Sequence, residues 1–305
     1  MYNRQYSVSV VIACQGSQES EIKSTPYGEI RSRSGASLKF TTNDAKGVYT
    51  QWLKHEREVV EHETVPDEGH IYLENPTKSE VLNAFSTINQ ILSKYPQGAT
   101  GIDVFFAGHG ECSSGALVLK DDTLSAKELL HIINSPLASS QGARGLGLGL
   151  DSCYAGSFLI DIVVELQKKE HSIELRDAMV SSMHDEKSWE LSFLEHGAFT
   201  FSFLHPGNSY VKGNELNIAI ERKDNKMIAK CLQGLVGSMA SPVGFLTQGR
   251  QHPIRCYKGA LMNISGLGEF YIHDIEGGVT RESLINCFEK IRQDFWTENN
   301  INKAL

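Results

Sequence analysis

Ile102-Asp103-Val104-Phe105-Phe106-Ala107-Gly108-His109-Gly110 and Leu150-Asp151-Ser152-Cys153-Tyr154-Ala155-Gly156-Ser157 are the stretches on which the reading of this chain turns. Each is a short apolar run that breaks into a small-residue turn carrying one reactive side chain, His109 in the first and Cys153 in the second. A run of strand length that is apolar at nearly every position predicts a strand covered on both faces, as in a parallel sheet. Sheets of that kind place their chemistry at the carboxyl ends of the strands. Two such ends, one with a base and one with a thiol, point to a cysteine nucleophile activated by a histidine. The thiolate is the nucleophilic form, and both an imidazole and a helix N-terminus favour it. The helix expected to begin near Ser157 supplies the second. Gly108 and Gly110 let the backbone turn sharply around His109, and the N–H groups of Gly110 and Cys153 are natural donors to an oxyanion.

Outward from these two segments the pattern alternates strand and helix. Val8 to Ala13 is β-branched and predicts a buried first strand, and the Ser- and Gly-rich stretch Ser17 to Ser37 predicts a surface loop or hairpin. Thr42 opens a helical period through Val48, Trp52, Leu53, Val59 and Val60; Tyr72-Leu73 suggests a short strand. Thr77 with Glu80, and Ser125 with Glu128, are capping boxes ahead of two further helices. Gly145 to Leu150 alternates Gly and Leu, which predicts a strand with helix or backbone packed close against its glycines. Ala178-Met179-Val180 reads as a strand preceded by a polar connection containing Arg176, and Gly197 to Leu204 as a short aromatic helix. Met227 to Leu235 and Leu284 to Phe295 suggest two later helices. The whole predicts an α/β fold with helices on both faces of a mostly parallel sheet.

Composition narrows the function classes. With 305 residues, 40% hydrophobic and 22% charged, the chain has an ordinary globular make-up and enough length for a large core. A net charge of -8 without any Lys/Arg-rich block argues against a nucleic-acid surface. The six cysteines show neither CxxC pairs nor dense even spacing, so neither a zinc framework nor a disulfide scaffold is expected. Cys14, Cys112, Cys231, Cys256 and Cys287, and His131 and His273, read as core or surface residues without chemistry. No apolar run approaches membrane-spanning length, and the expected setting is a reducing cytoplasm, with no membrane partner.

At this point the sequence resembles a known family, the caspase-like cysteine peptidases, which include caspases, metacaspases, clostripain and their bacterial relatives. His109-Gly110 and Asp151-Ser152-Cys153 match its two catalytic motifs; the Gln-Ala-Cys form of caspases is absent, and Asp-Ser-Cys points to the metacaspase side. Asn43-Asp44-Ala45, Met179-Val180-Ser181-Ser182 and Gly197-Ala198-Phe199-Thr200 are similar to further family segments in the same order, over roughly residues 8 to 204. The resemblance implies a three-layer caspase-like fold around a six-stranded sheet. It implies a catalytic domain over 1–262, with a large-subunit-like part to about 170, a small-subunit-like part over 177–262, and a C-terminal helical extension over 263–305 that packs on the core.

It also implies a function: a cysteine endopeptidase using a His109–Cys153 dyad, with Asp151 in the pocket that reads the residue before the scissile bond. An aspartate there accompanies cleavage after Arg or Lys, because a carboxylate pairs with a guanidinium in a charge-assisted, often bidentate contact. Asp44 matches a second pocket aspartate, with a helix first-turn carboxylate as the alternative, and Asp185 either adds negative potential or sits in a charged surface loop. One departure is Ala107, where metacaspases often carry Ser. Lys168, Lys169 and Arg176 fall in the segment where family members are cut, which implies an upstream activating protease or self-processing. Metacaspases often require calcium, so the resemblance leaves calcium dependence open, but no EF-hand spacing supports it here and no other metal or cofactor is expected. The expected partners are protein or peptide substrates with a basic cleavage residue, and bacterial relatives take part in cell-death or antiviral signalling. The competing expectation is an inert caspase-like module that binds partners.

Overall fold

In the computed structural model the described residues are 6–16, 20–25, 28–35, 38–59, 69–93, 100–134, 144–168, 173–192, 194–204, 224, 243, 247, 250–263 and 270–295. In chain order they form β1 (Tyr6–Ala13), β2 (Ser20–Thr25), β3 (Gly28–Gly35), α1 (Thr41–Val59), β4 (His70–Glu74), α2 (Lys78–Ser93) and β5 (Thr100–Ala107). Then come β6 (Leu117–Val118), β7 (Thr123–Leu124), α3 (Ala126–Ile133), β8 (Arg144–Asp151), α4 (Ala155–Leu166) and β9 (Ile173–Val180). The remainder is β10 (Trp189–Leu191), β11 (His196–Gly197), α5 (Ala198–Leu204), β12 (Ile254–Tyr257), β13 (Ala260–Asn263), β14 (Phe270–Tyr271) and α6 (Arg281–Phe295).

The main sheet has eight strands in the order β14-β13-β12-β9-β8-β5-β1-β4. From β4 to β9 neighbours run parallel, and β12, β13 and β14 continue the sheet antiparallel. Alternation along each strand assigns its two faces. Val8, Val10 and Ile12 of β1, Ile102, Val104 and Phe106 of β5, and Leu146, Leu148 and Leu150 of β8 enter one core with α2, α3, α4 and α6. Val11, Ala13, Phe105 and Ala107 face the other way, against Ala45, Val48 and Trp52 of α1 and Phe203 and Leu204 of α5. The sheet is therefore covered by helices on both faces. Both capping boxes form: the Thr77 amide donates to Glu80 at 2.7 Å, and Ser125 and Glu128 cap α3 reciprocally.

Several expectations need correction. The sheet has eight strands rather than six, because β13 and β14 follow β12 and add to its edge. The segment expected as a helical extension contributes β14 as well as α6, while Leu284, Phe288 and Ile291 of α6 pack in the main core as expected. The glycines of β8 are packed not by helix but by side chains of the flanking strands: a Cβ on Gly147 would stand 1.9 Å from Asp103 Oδ1, and one on Gly149 would stand 2.8 Å from Phe105. Of the two alternatives expected after β1 the hairpin forms, β2 with β3, and β3 joins β10 and β11 in a second, four-stranded sheet. Met227 to Leu235, with Cys231, lies outside the described residues. Among those described, no helix is long and apolar enough to cross a membrane.

Candidate active site

Strand register builds the site. Ala107 at the end of β5 lies opposite Asp151 at the end of β8, and the Gly108 amide extends the ladder by donating to the Asp151 carbonyl at 3.1 Å. His109 is two residues past Ala107 and Cys153 two past Asp151, so both leave neighbouring parallel strands at one level, where strands stand about 4.8 Å apart. The turns then touch: a Cβ on Gly110 would lie 1.9 Å from the Cys153 carbonyl oxygen, so only glycine lets the His109 loop lie on the Cys153 backbone. Tyr154 follows in the left-handed region at φ 58°, a strained elbow that turns the chain straight into α4.

Gly110 is bridged to Leu117 through its neighbours, with the Glu111 amide donating to Ala116 and the Val118 amide to His109. In that pattern the Gly110 N–H points away from the bridge, in keeping with a donor to substrate. The first amides of α4 are engaged otherwise: Tyr154 donates to the Glu186 carbonyl at 2.7 Å, Ala155 to Ser182 Oγ at 3.2 Å and Gly156 to the Ser182 carbonyl at 2.9 Å. The segment after β9 thus lies across the start of α4.

His109 borders a cleft of about 1040 Å³ together with Gln15, Gly16, Asn75, Glu111 and Tyr154. Cys153 is buried, 0% exposed, and its sulfur accepts from the Ser188 amide at 3.2 Å. Of the other thiols, burial pushes Cys14 up to about 12, and burial followed by the charge of Asp177 pushes Cys256 to the same level. Both are inert in neutral solution. Cys112 is exposed on the rim of the cleft beside Tyr154, whose hydroxyl is pushed up to about 12 by burial and then by its hydrogen bond to Cys112.

Asp151 is fully buried directly beside this junction. Its Oδ1 accepts from Ser188 Oγ at 2.6 Å, and its Oδ2 accepts from Thr200 Oγ1 at 2.6 Å and the Thr200 amide at 3.2 Å. Asp44, also buried, accepts from the Gly197 amide at 3.1 Å and lies 2.8 Å from His196 Nδ1, so it ties α1 to the turn that leads into α5. Asp185 is half-exposed and bonded to Arg292 of α6.

Arg176, expected in a polar connection, lies inside β9 at the point where the register with β8 shifts, and its guanidinium bonds Asp103 at 2.5 Å. Lys168 is exposed at the end of α4, and Lys169 lies outside the described residues. Among the described residues one trio, His184, Asp185 and Glu289, brings ligand atoms within 4.8 Å of one another. Arg292 already bonds Asp185 and Glu289 there, so the protein itself supplies the positive charge.

Ser188 and Gln251 carry no signal in the sequence, and Glu186 stands out only beside Asp185 as a negative charge for the cleft or a surface-loop residue, yet all three complete the site. Gln251 Nε2 donates to Ser188 Oγ at 3.2 Å and to the Ser181 carbonyl at 2.9 Å, and Glu186 is held by His252 at 2.5 Å. Thr200 stood in the Gly-Ala-Phe-Thr segment, but nothing there linked it to Asp151. Compared with known proteins, the chain matches no family model and no curated protein.

Proposed function

We propose that the chain is a caspase-like cysteine endopeptidase that hydrolyses peptide bonds after Arg or Lys. The observation that carries the proposal is the register of Ala107 on Asp151, which sets His109 and Cys153 at one level with a buried carboxylate beside them. In this reading the Cys153 thiolate attacks the scissile carbonyl carbon, and the carbonyl electron pair moves to oxygen, held by the Gly110 and Cys153 amides. His109, carrying the thiol proton, passes it to the departing amine as the C–N bond breaks. His109 then takes a proton from water as the water oxygen attacks the thioester, and collapse releases the acid and the thiolate. Asp151 pairs with the basic side chain, and an overall charge of -8 suits cationic substrates.

Hydrolysis of short fluorogenic peptides ending in Arg, Lys or Asp tests this. The Arg and Lys series should be cut, and Cys153→Ala and His109→Ala should each lose at least about 10⁴-fold in kcat. Activity on the Asp series alone overturns the pocket assignment. The full burial of Cys153 favours a second reading, a partner-binding module without catalysis. Silence on every peptide, also after nicking with trypsin, together with no labelling of Cys153 by a thiol-reactive peptide, would put that reading in its place.

A further inference from the structure

Ser188 touches both halves of the site. Its amide donates to Cys153 Sγ at 3.2 Å, and its hydroxyl donates to Asp151 Oδ1 at 2.6 Å while accepting from Gln251 Nε2 at 3.2 Å. The Trp189 amide donates to Gln251 Oε1 at 3.0 Å, and Ser188, Asp151, Cys153 and Gln251 are all buried. The segment on either side is pinned separately. Ser181 and Ser182 bond the Ser152 backbone, Glu186 bonds the Tyr154 amide and His252, and Trp189 begins the ladder to β3. Lys187 and Ser188 lie between these anchors, and the Ser188 contacts run to Cys153, Asp151 and Gln251.

With Ser188 in this position the thiol is covered and one oxygen of Asp151 is taken. The Ser188 hydroxyl already makes a charge-assisted bond to the carboxylate, but a guanidinium or ammonium adds a full positive charge that the hydroxyl lacks. A basic side chain reaching Asp151 therefore displaces the Ser188 hydroxyl, and the Ser188 backbone loses its hold over the sulfur. We infer that Ser188 is a substrate-operated latch, a positioning residue that keeps Cys153 covered until a basic side chain replaces its hydroxyl on Asp151. This rests on the Arg/Lys reading of Asp151 and adds to it a thiol that only the right substrate uncovers.

The test is the rate of alkylation by iodoacetamide, read peptide by peptide by mass spectrometry, with exposed Cys112 as the reference within the same molecule. In the wild type Cys153 should react far more slowly than Cys112. n-Butylguanidinium should speed Cys153 by at least about tenfold, the weight of one hydrogen bond to a charged group, and neutral n-butylurea should leave it unchanged. Ser188→Ala should react about tenfold faster without additive and gain little from the guanidinium, Ser188→Thr should restore the wild-type pattern, and Asp151→Asn should abolish the guanidinium response. Equal rates for wild type and Ser188→Ala, or equal acceleration by butylurea, overturn the latch. If Arg peptides are cut while those rates are equal, the latch fails and the peptidase stands. If the guanidinium uncovers Cys153 and no peptide is cut, the peptidase reading fails and the latch stands.

Discussion

His109 is shaped by a residue far from it in sequence. Gly16 sits at φ +68°, and a Cβ there would lie 2.2 Å from His109 Cδ2 and 2.4 Å from Nε2. Gly16→Ala therefore adds left-handed strain of about 1–2 kcal/mol and also pushes the imidazole out of place. Gly259, at φ +77° with nothing within 4 Å of its would-be Cβ, separates the two effects. Both alanine variants should lower the melting temperature by a few degrees, but only Gly16→Ala should lower kcat/KM on Arg peptides, by about 100-fold. Equal activity in the two variants would show that Gly16 does not place the base. His109 and Cys153 themselves were legible because a reactive side chain at the end of an apolar run is a local feature. Ser188 and Thr200 were not, since their meaning arises only on meeting Asp151, 37 and 49 residues away.

At the scale of the element, period and caps carried the reading well where one face is apolar, as in α2, α3, β5 and β8. β9 was read too short because Glu174, Arg176 and Asp177 make its first half look like a loop. Cross-strand partners resolve this: Arg176 bonds Asp103 of β5, and Arg255 of β12 bonds Asp177 with two hydrogen bonds at 2.9 and 2.7 Å. Such pairs are invisible until the strands are aligned. β9 is paired with β8 on either side of Arg176 and with β12 from Asp177 on, and the Arg176 carbonyl accepts from the Lys258 amide at 3.3 Å, so a protease that needs an extended, detached segment finds none there. Brief trypsin digestion of the native protein should release fragments ending at exposed Lys168 or its neighbour, and none ending at Arg176. Early cleavage after Arg176 would mean that β9 detaches, and would restore that residue as a processing site.

Across the whole molecule, α6 is tied to the segment that covers the thiol. Phe288 packs where a Cβ on Gly156 would stand 2.8 Å away, its ring meets His184 edge-on at 6.3 Å, and Arg292 reaches Asp185, Glu186 and Met183. A helix more than a hundred residues downstream of Cys153, expected only to pack on the core, thus also braces the site. Burial raises the Asp185 carboxyl, but the Arg292 hydrogen bond and charge, with help from His184, outweigh it and hold it below the ordinary 3.8. A carboxyl depressed in the folded state adds stability above its ordinary value and loses it as the pH falls through the folded one. Asp185→Asn should therefore lower the unfolding free energy measured in urea at neutral pH, by no more than about 1 kcal/mol for so exposed a pair. The gap to wild type should narrow in high salt and close as the pH is taken below 3.8, because the wild-type carboxyl then protonates and loses its hold on Arg292. A gap that stays constant from neutral to acid would mean that the Asp185 charge does not brace α6, and that Phe288 and the other Arg292 contacts join the C-terminal helix to the site.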